Sequence, residues 1–131
     1  MLSQIPTRRL GLLSSGISRS LASLSPIVQL GDMKAYEKLE QDKDKKHILY
    51  FTATWCPPCR KIGPVFEDLS RNNADILFVK IDIDQLPEAA ELNGIRSVPT
   101  FIFKKGQKVV EQFSGADESA LIQNMVQLRG V

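Results

Sequence analysis

Two cysteines, one histidine and one tryptophan are all that 131 residues hold of these types. Two thiols and one imidazole do not complete a four-ligand zinc site within one chain. Nor do Cys56 and Cys59, only two residues apart, make the several-bridge framework of a small secreted scaffold. No apolar run approaches the roughly 18 residues that would argue for a membrane span. Internal repeats and glycine-rich phosphate loops are absent. Acidic residues are missing entirely before Asp32.

That last absence changes how the formal charge of +2 reads. Arg8, Arg9 and Arg19 are the only charged residues ahead of Asp32. Without them fourteen basic and fifteen acidic side chains remain, a net of −1. The surplus belongs to the N-terminal stretch, so a nucleic-acid partner loses its main support. Residues 1–25 combine arginine, seven serines and scattered leucine without acid, the composition of an organelle transit peptide. A secretory signal needs an unbroken apolar core of about 7–15 residues. Leu10-Gly11-Leu12-Leu13 is cut short by Ser14-Ser15-Gly16. A mitochondrial leader over residues 1–25 is therefore expected, followed by one domain over residues 26–131, for which 43% hydrophobic content can fill one core.

Within that domain the pattern alternates strand with helix. Pro26–Leu30 is a short strand. Asp32 offers an N-cap, and Met33, Tyr36 and Leu39 at helical spacing predict a helix to about Asp42. Lys43–Lys46 is a solvated turn. Ile48–Ala53 is nearly continuous in apolar character, as a strand buried on both faces would be. A helix follows Cys56 to about Ser70, with Pro64 inside it to remove a backbone bond and bend the axis. Asp75–Asp84 is the next strand. Pro87 opens a short helix that Asn93-Gly94 closes. Thr100–Lys104 and Lys108–Phe113 form a hairpin around Lys105-Gly106-Gln107. The last helix starts after Gly115-Ala116-Asp117 and carries an apolar stripe of Leu121, Ile122, Met125 and Leu128, a core face. The order is βαβαβαββα, an α/β fold with a central mixed sheet flanked by helices.

The cysteines stand where the apolar strand turns into a helix, in Phe51-Thr52-Ala53-Thr54-Trp55-Cys56-Pro57-Pro58-Cys59-Arg60. That is the setting of a redox dithiol. Cys56 at the helix start meets free N–H groups and the positive end of the dipole, which favour its thiolate. Cys59, one turn further in, is close enough to close a disulfide loop and is expected to be the more buried of the two. His47 reads as incidental, and Asp82 and Asp84 as solvated carboxylates.

Trp55-Cys-Pro-Pro-Cys59, Pro64 five residues on, and Val98-Pro99-Thr100 downstream resemble the thioredoxin family over roughly Pro26 to Leu128. The Tyr50-Phe51-Thr52-Ala53 lead-in and the N-terminal extension look most like mitochondrial thioredoxins, including the plant o-type. The resemblance implies the thioredoxin fold and a protein-disulfide reductase, with Cys56 as nucleophile and Cys59 as resolving thiol. It implies a cis Val98-Pro99 bond facing the cysteines. Trp55, Pro57, Pro58, Ser97, Val98, Pro99, Gly115 and Ala116 would bind substrate. It also implies no bound cofactor or metal. NADPH would act indirectly, through a flavoprotein thioredoxin reductase, on a monomer in the mitochondrial matrix whose clients carry disulfides. Two residues depart from the family pattern. Pro57 replaces the commoner glycine, restricting the backbone between the cysteines. Tyr50 stands where most members have a buried aspartate, and a phenol titrating near 10 is a poor base at neutral pH. Lys80 would then supply only positive potential near the thiols. A Trp-Cys-Pro-Pro-Cys-Arg motif also occurs in tryparedoxin-like and nucleoredoxin-like proteins, which use other electron donors. A thioredoxin-fold binding subunit that does not cycle is a third reading.

Overall fold

Lys46–Thr52 (β2) is the strand expected from the apolar run at Ile48, and every residue from His47 to Thr52 is buried. In this computed structural model, which describes residues 26–131, β2 is the middle strand of a five-stranded sheet. The leader expected over residues 1–25 lies outside the described residues. Around β2 the chain runs Val28–Gln29 (β1), Met33–Glu40 (α1), Pro57–Asn72 (α2), Leu77–Asp82 (β3), Pro87–Leu92 (α3), Thr100–Lys105 (β4), Lys108–Ser114 (β5) and Glu118–Arg129 (α4). The strand order is β1-β3-β2-β4-β5. β1 and β2 run parallel to β3, while β4 lies antiparallel to both β2 and β5. The βαβαβαββα order and the mixed sheet expected from the sequence are both present.

Period-two alternation sorts β2 between two cores. Ile48 and Tyr50 pack with Ile62 and Phe66 of α2 and with Leu121, Met125 and Leu128 of α4. Leu49 and Phe51 face the other way, toward Tyr36 of α1 and Leu86 and Ala89 at α3. A central strand between two helical layers has to be apolar on both faces, and this explains why His47–Thr52 carries no polar alternation. Tyr50 is fixed in the first core between Phe66 and Phe101, with both ring centroids 4.9 Å away.

Asp32 caps α1, accepting the Ala35 N–H at 2.8 Å, as its side chain predicts. Asp117 does the same for α4 through Ala120 N–H at 3.0 Å. α2 continues unbroken through Pro64 to Asn72, two residues past the expected end. β3 is shorter at each end than the apolar and acidic run suggested: the Ile76 N–H is taken by the Asn73 carbonyl before it starts, and the Asp82 carbonyl accepts from Gln85 and Leu86 where it stops. Ile122 belongs to the expected stripe of α4 yet is 37% exposed. Leu121, Met125 and Leu128 alone of that stripe lie on the buried face. None of the described helices is long and apolar enough to cross a membrane.

Candidate active site

β2 ends at Thr52, and five residues later the chain enters α2 through Pro57 and Pro58 in the first turn. Proline suits this position, since its missing N–H would have no helical partner. Cys56 is the N-cap residue, in extended conformation, and its Sγ accepts the Cys59 N–H at 3.2 Å. That donor and the helix dipole both stabilise negative charge on Cys56 sulfur. Cys56 and Cys59 are joined in a disulfide, with Cα atoms 5.3 Å apart. Cys59 is not the more buried partner. Cys56 is 2% and Cys59 4% exposed, because Ala53, Ile83 and Val98 close over both. Pro57 and Pro58 between them are exposed.

The Val98-Pro99 peptide is cis and stands opposite Cys56, whose Sγ lies 3.5 Å from the Val98 carbonyl oxygen. Ser97, one residue earlier, is exposed, and its carbonyl accepts from the Thr100 hydroxyl at 2.6 Å. Gly115 reaches the same place from the end of β5, donating its N–H to the Pro99 carbonyl at 2.9 Å. Its φ of +107° is one that a side chain would strain. Ala116 turns inward against the first core. Trp55 is 60% exposed, and its indole N–H donates to the Asp84 carboxylate at 2.8 Å. Asp84 is exposed as expected, but it has the specific task of holding that ring.

On the opposite side of Cys59 a cleft of about 380 Å³ opens between α2 and the sheet. Tyr50, Thr52, Cys59, Lys80 and Asp82 all line it. The strand register explains the grouping: Tyr50 pairs with Lys80 and Thr52 with Asp82 along β2 and β3. The Tyr50 hydroxyl donates to the Cys59 carbonyl at 3.2 Å. Burial raises the Tyr50 pKa, with Thr52 pulling weakly the other way, so the phenol keeps its proton. Asp82 corrects the sequence reading. It is 6% exposed, not solvated, and its Oδ1 accepts the Asp84 N–H at 2.8 Å. Counting along β3 from the buried Phe78 by twos would have placed Lys80 and Asp82 on the α2 face. The parallel pairing with β2 was the missing piece. His47, read as incidental to the chemistry, is fully buried, and neither ring nitrogen makes a well-formed hydrogen bond. Among the described residues no cluster of three or more His, Cys, Asp or Glu could hold a metal ion.

Comparison with known proteins agrees with this geometry. The family model described as Thioredoxin matches residues 27–127. Thioredoxin H3 of Arabidopsis thaliana is 43% identical over 91 residues, covering 68% of this chain and 77% of that protein. A thioredoxin of Ictalurus punctatus is 37% identical over 102 residues, covering 76% and 95%. The solved thioredoxin of Fasciola hepatica is similar with a TM-score of 0.73 at 36% identity, covering 76% of this chain and 97% of that one. One from Nicotiana alata reaches 0.74 at 31% identity, covering 79% and 92%. The family-model match runs from β1 into the last turns of α4 and takes in both cysteines, and the chain belongs to the thioredoxin family of thiol–disulfide oxidoreductases.

Proposed function

We propose that the protein is a mitochondrial protein-disulfide reductase, with residues 1–25 as its import leader and residues 26–131 as the working domain. The observation that carries the reductase reading is the placement of Cys56: its sulfur caps α2, receives the Cys59 N–H and faces the Val98 carbonyl. A thiolate is the species that attacks a disulfide, and this position favours it. Cys56 attacks a client sulfur and forms a mixed disulfide. Cys59 then attacks Cys56 and releases the reduced client, leaving the Cys56–Cys59 bond. An extended client segment lies along Ser97–Pro99 and meets the Val98 backbone as an added strand. Trp55, Pro57, Pro58, Gly115 and Ala116 border it. A flavoprotein thioredoxin reductase restores the dithiol with electrons from NADPH, and the domain works as a monomer with no bound cofactor. The likeness of the Tyr50–Ala53 lead-in to mitochondrial, o-type members supports the matrix assignment, together with the acid-free leader.

The test is NADPH-coupled disulfide reduction by the protein from Pro26 onward, with thioredoxin reductase and separately with glutathione or another dithiol as donor. Turnover with the reductase, lost in Cys56→Ser, is expected. Accumulation of client mixed disulfides in Cys59→Ser is the accompanying sign of the resolving role. Activity with the other donor alone would move the assignment to the tryparedoxin-like class. Residues 1–25 fused to a reporter are expected to direct import into isolated mitochondria; a reporter left outside would remove the matrix assignment.

A further inference from the structure

Among the described residues, Asp82 is the one buried carboxylate, and it lies on the same cleft as Cys59. We propose that Asp82 accepts the Cys59 proton when the mixed disulfide is resolved. This rests on Cys59 being the resolving thiol. A thiol cannot attack until it loses its proton, and Cys59 is buried away from bulk solvent on the Cys56 side. The remaining outlet is the cleft that both groups line, and its volume has room for several waters.

The other titratable groups on that cleft are poor acceptors. Tyr50 comes from β2, and burial keeps its phenol protonated; its hydroxyl is in any case committed to the Cys59 carbonyl. Lys80 from β3 and Arg60 from α2 are cations. Lys80 shares the Asp82 face of the strand, while Arg60 donates to the Thr54 carbonyl at 3.2 Å. Glu67 of α2 is engaged by Arg71 at 2.9 Å. β1 contributes no titratable group to the lining. Asp82 is also held in place: Oδ1 is tied by the Asp84 N–H, and its backbone carbonyl by Gln85 and Leu86. A fixed carboxylate on a cleft large enough to admit water is a prepared proton acceptor.

The step balances as follows. The Cys59 proton passes through cleft water to the Asp82 carboxylate. The Cys59 thiolate attacks Cys56 sulfur; the Cys56–Cys59 bond forms, and the bond from Cys56 to the client sulfur breaks. The client thiolate takes a proton from solvent, and Asp82 returns its own to water. Two electrons pass from the protein dithiol to the client disulfide.

Asp82→Asn keeps an oxygen for the Asp84 N–H and removes the base. In stopped-flow reduction of a disulfide peptide, mixed-disulfide resolution is expected to slow roughly 10- to 100-fold at pH 7, within the range of general-base effects. Its pH profile should move upward, with the initial Cys56 attack unaltered. Asp82→Glu should recover part of the rate, and Glu67→Gln should leave the resolving step unchanged. Resolution at the parent rate and pH profile in Asp82→Asn would overturn the role. The measurement that needs no variant is ¹³C NMR titration of the Asp82 carboxyl in the parent protein. Its midpoint should differ between dithiol and disulfide forms, and identical midpoints would also overturn it. Failure of Cys59→Ser to trap mixed disulfides would instead strike at the resolving role of Cys59 itself.

Discussion

Two side chains of β2 do opposite things with their polar atoms. Tyr50 satisfies its hydroxyl on the Cys59 carbonyl and packs its ring between Phe66 and Phe101. Removing the hydroxyl in Tyr50→Phe leaves the stacking and loses one buried hydrogen bond, worth about 1 kcal/mol in urea unfolding. Tyr50→Asp is the more telling change, because it places a second carboxylate beside Lys80 and Cys59. The pH profile of disulfide reduction is expected to shift, and an unshifted profile would mean that this position has no hold on the thiols. His47 is buried with neither nitrogen in a well-formed hydrogen bond, and desolvation is the largest cause that lowers its pKa from 6.5 to about 4, opposed by the Lys45 backbone. The unfolded chain therefore binds a proton between those two values that the folded chain refuses. Stability rises with pH across that window and is lost as pH falls through it. The gap corresponds to about 3 kcal/mol at most. His47→Leu should flatten the fall in Tm from pH 6.5 to 4 relative to the parent. It should also raise Tm at pH 7, since an unpaired buried imidazole is costly. An unchanged slope would assign the acid lability to carboxylates elsewhere.

The connections carry more than the sequence pattern suggested. Lys43–Lys46, read as a solvated turn, is the surface on which the β4–β5 hairpin closes. The Gly106 N–H donates to the Lys45 carbonyl at 2.9 Å, and a Cβ on Gly106 would lie 2.6 Å from the Lys43 Cα. With φ at +60° as well, Gly106→Ala combines a left-handed penalty with a backbone clash. A loss of about 2–4 kcal/mol in urea unfolding is expected, with the hairpin pushed off the α1–β2 loop. A loss below 1 kcal/mol would show that the loop yields. The sequence signal was a hairpin glycine, which accounts for the positive φ but not for the contact, since docking of two turns leaves no periodic trace. The same limit applies at α4. Its core face was legible from Leu121, Met125 and Leu128, yet helical spacing alone could not decide that Ile122 turns outward. Its cap was legible, because Asp117 acts locally on Ala120. Asp117→Ala should cost about 1 kcal/mol, read as a Tm lower by several degrees.

Across the whole molecule, local chemistry was readable and partnership was not. The apolar run of β2, the caps and the cysteine spacing each act within a few residues, and they appear where the sequence put them. The Tyr50–Lys80 and Thr52–Asp82 pairs join strands about thirty residues apart, and only the parallel register sets Asp82 beside Thr52 on the strand that leads to the cysteines. His47 likewise lies fully buried at the start of the central strand, which its own neighbours in sequence do not announce. The redox pair also couples its local bond to global stability. Cys56 and Cys59 close a very short loop, for which the chain-entropy account gives about 2 kcal/mol of added stability in the oxidised form. Pro57 and Pro58 already restrict that segment in the unfolded chain and so reduce the gain. Around the cycle of folding and oxidation, whatever stability the disulfide adds must appear equally as a greater tendency of the folded dithiol to oxidise than of the unfolded one. Urea unfolding of oxidised and reduced protein from Pro26 onward should therefore differ by about 1–2 kcal/mol in favour of the oxidised form. In Pro57→Gly, which loosens the unfolded loop, the difference should widen. Equal stability of the two forms would mean that closing the bond costs the fold as much as it removes from the unfolded chain.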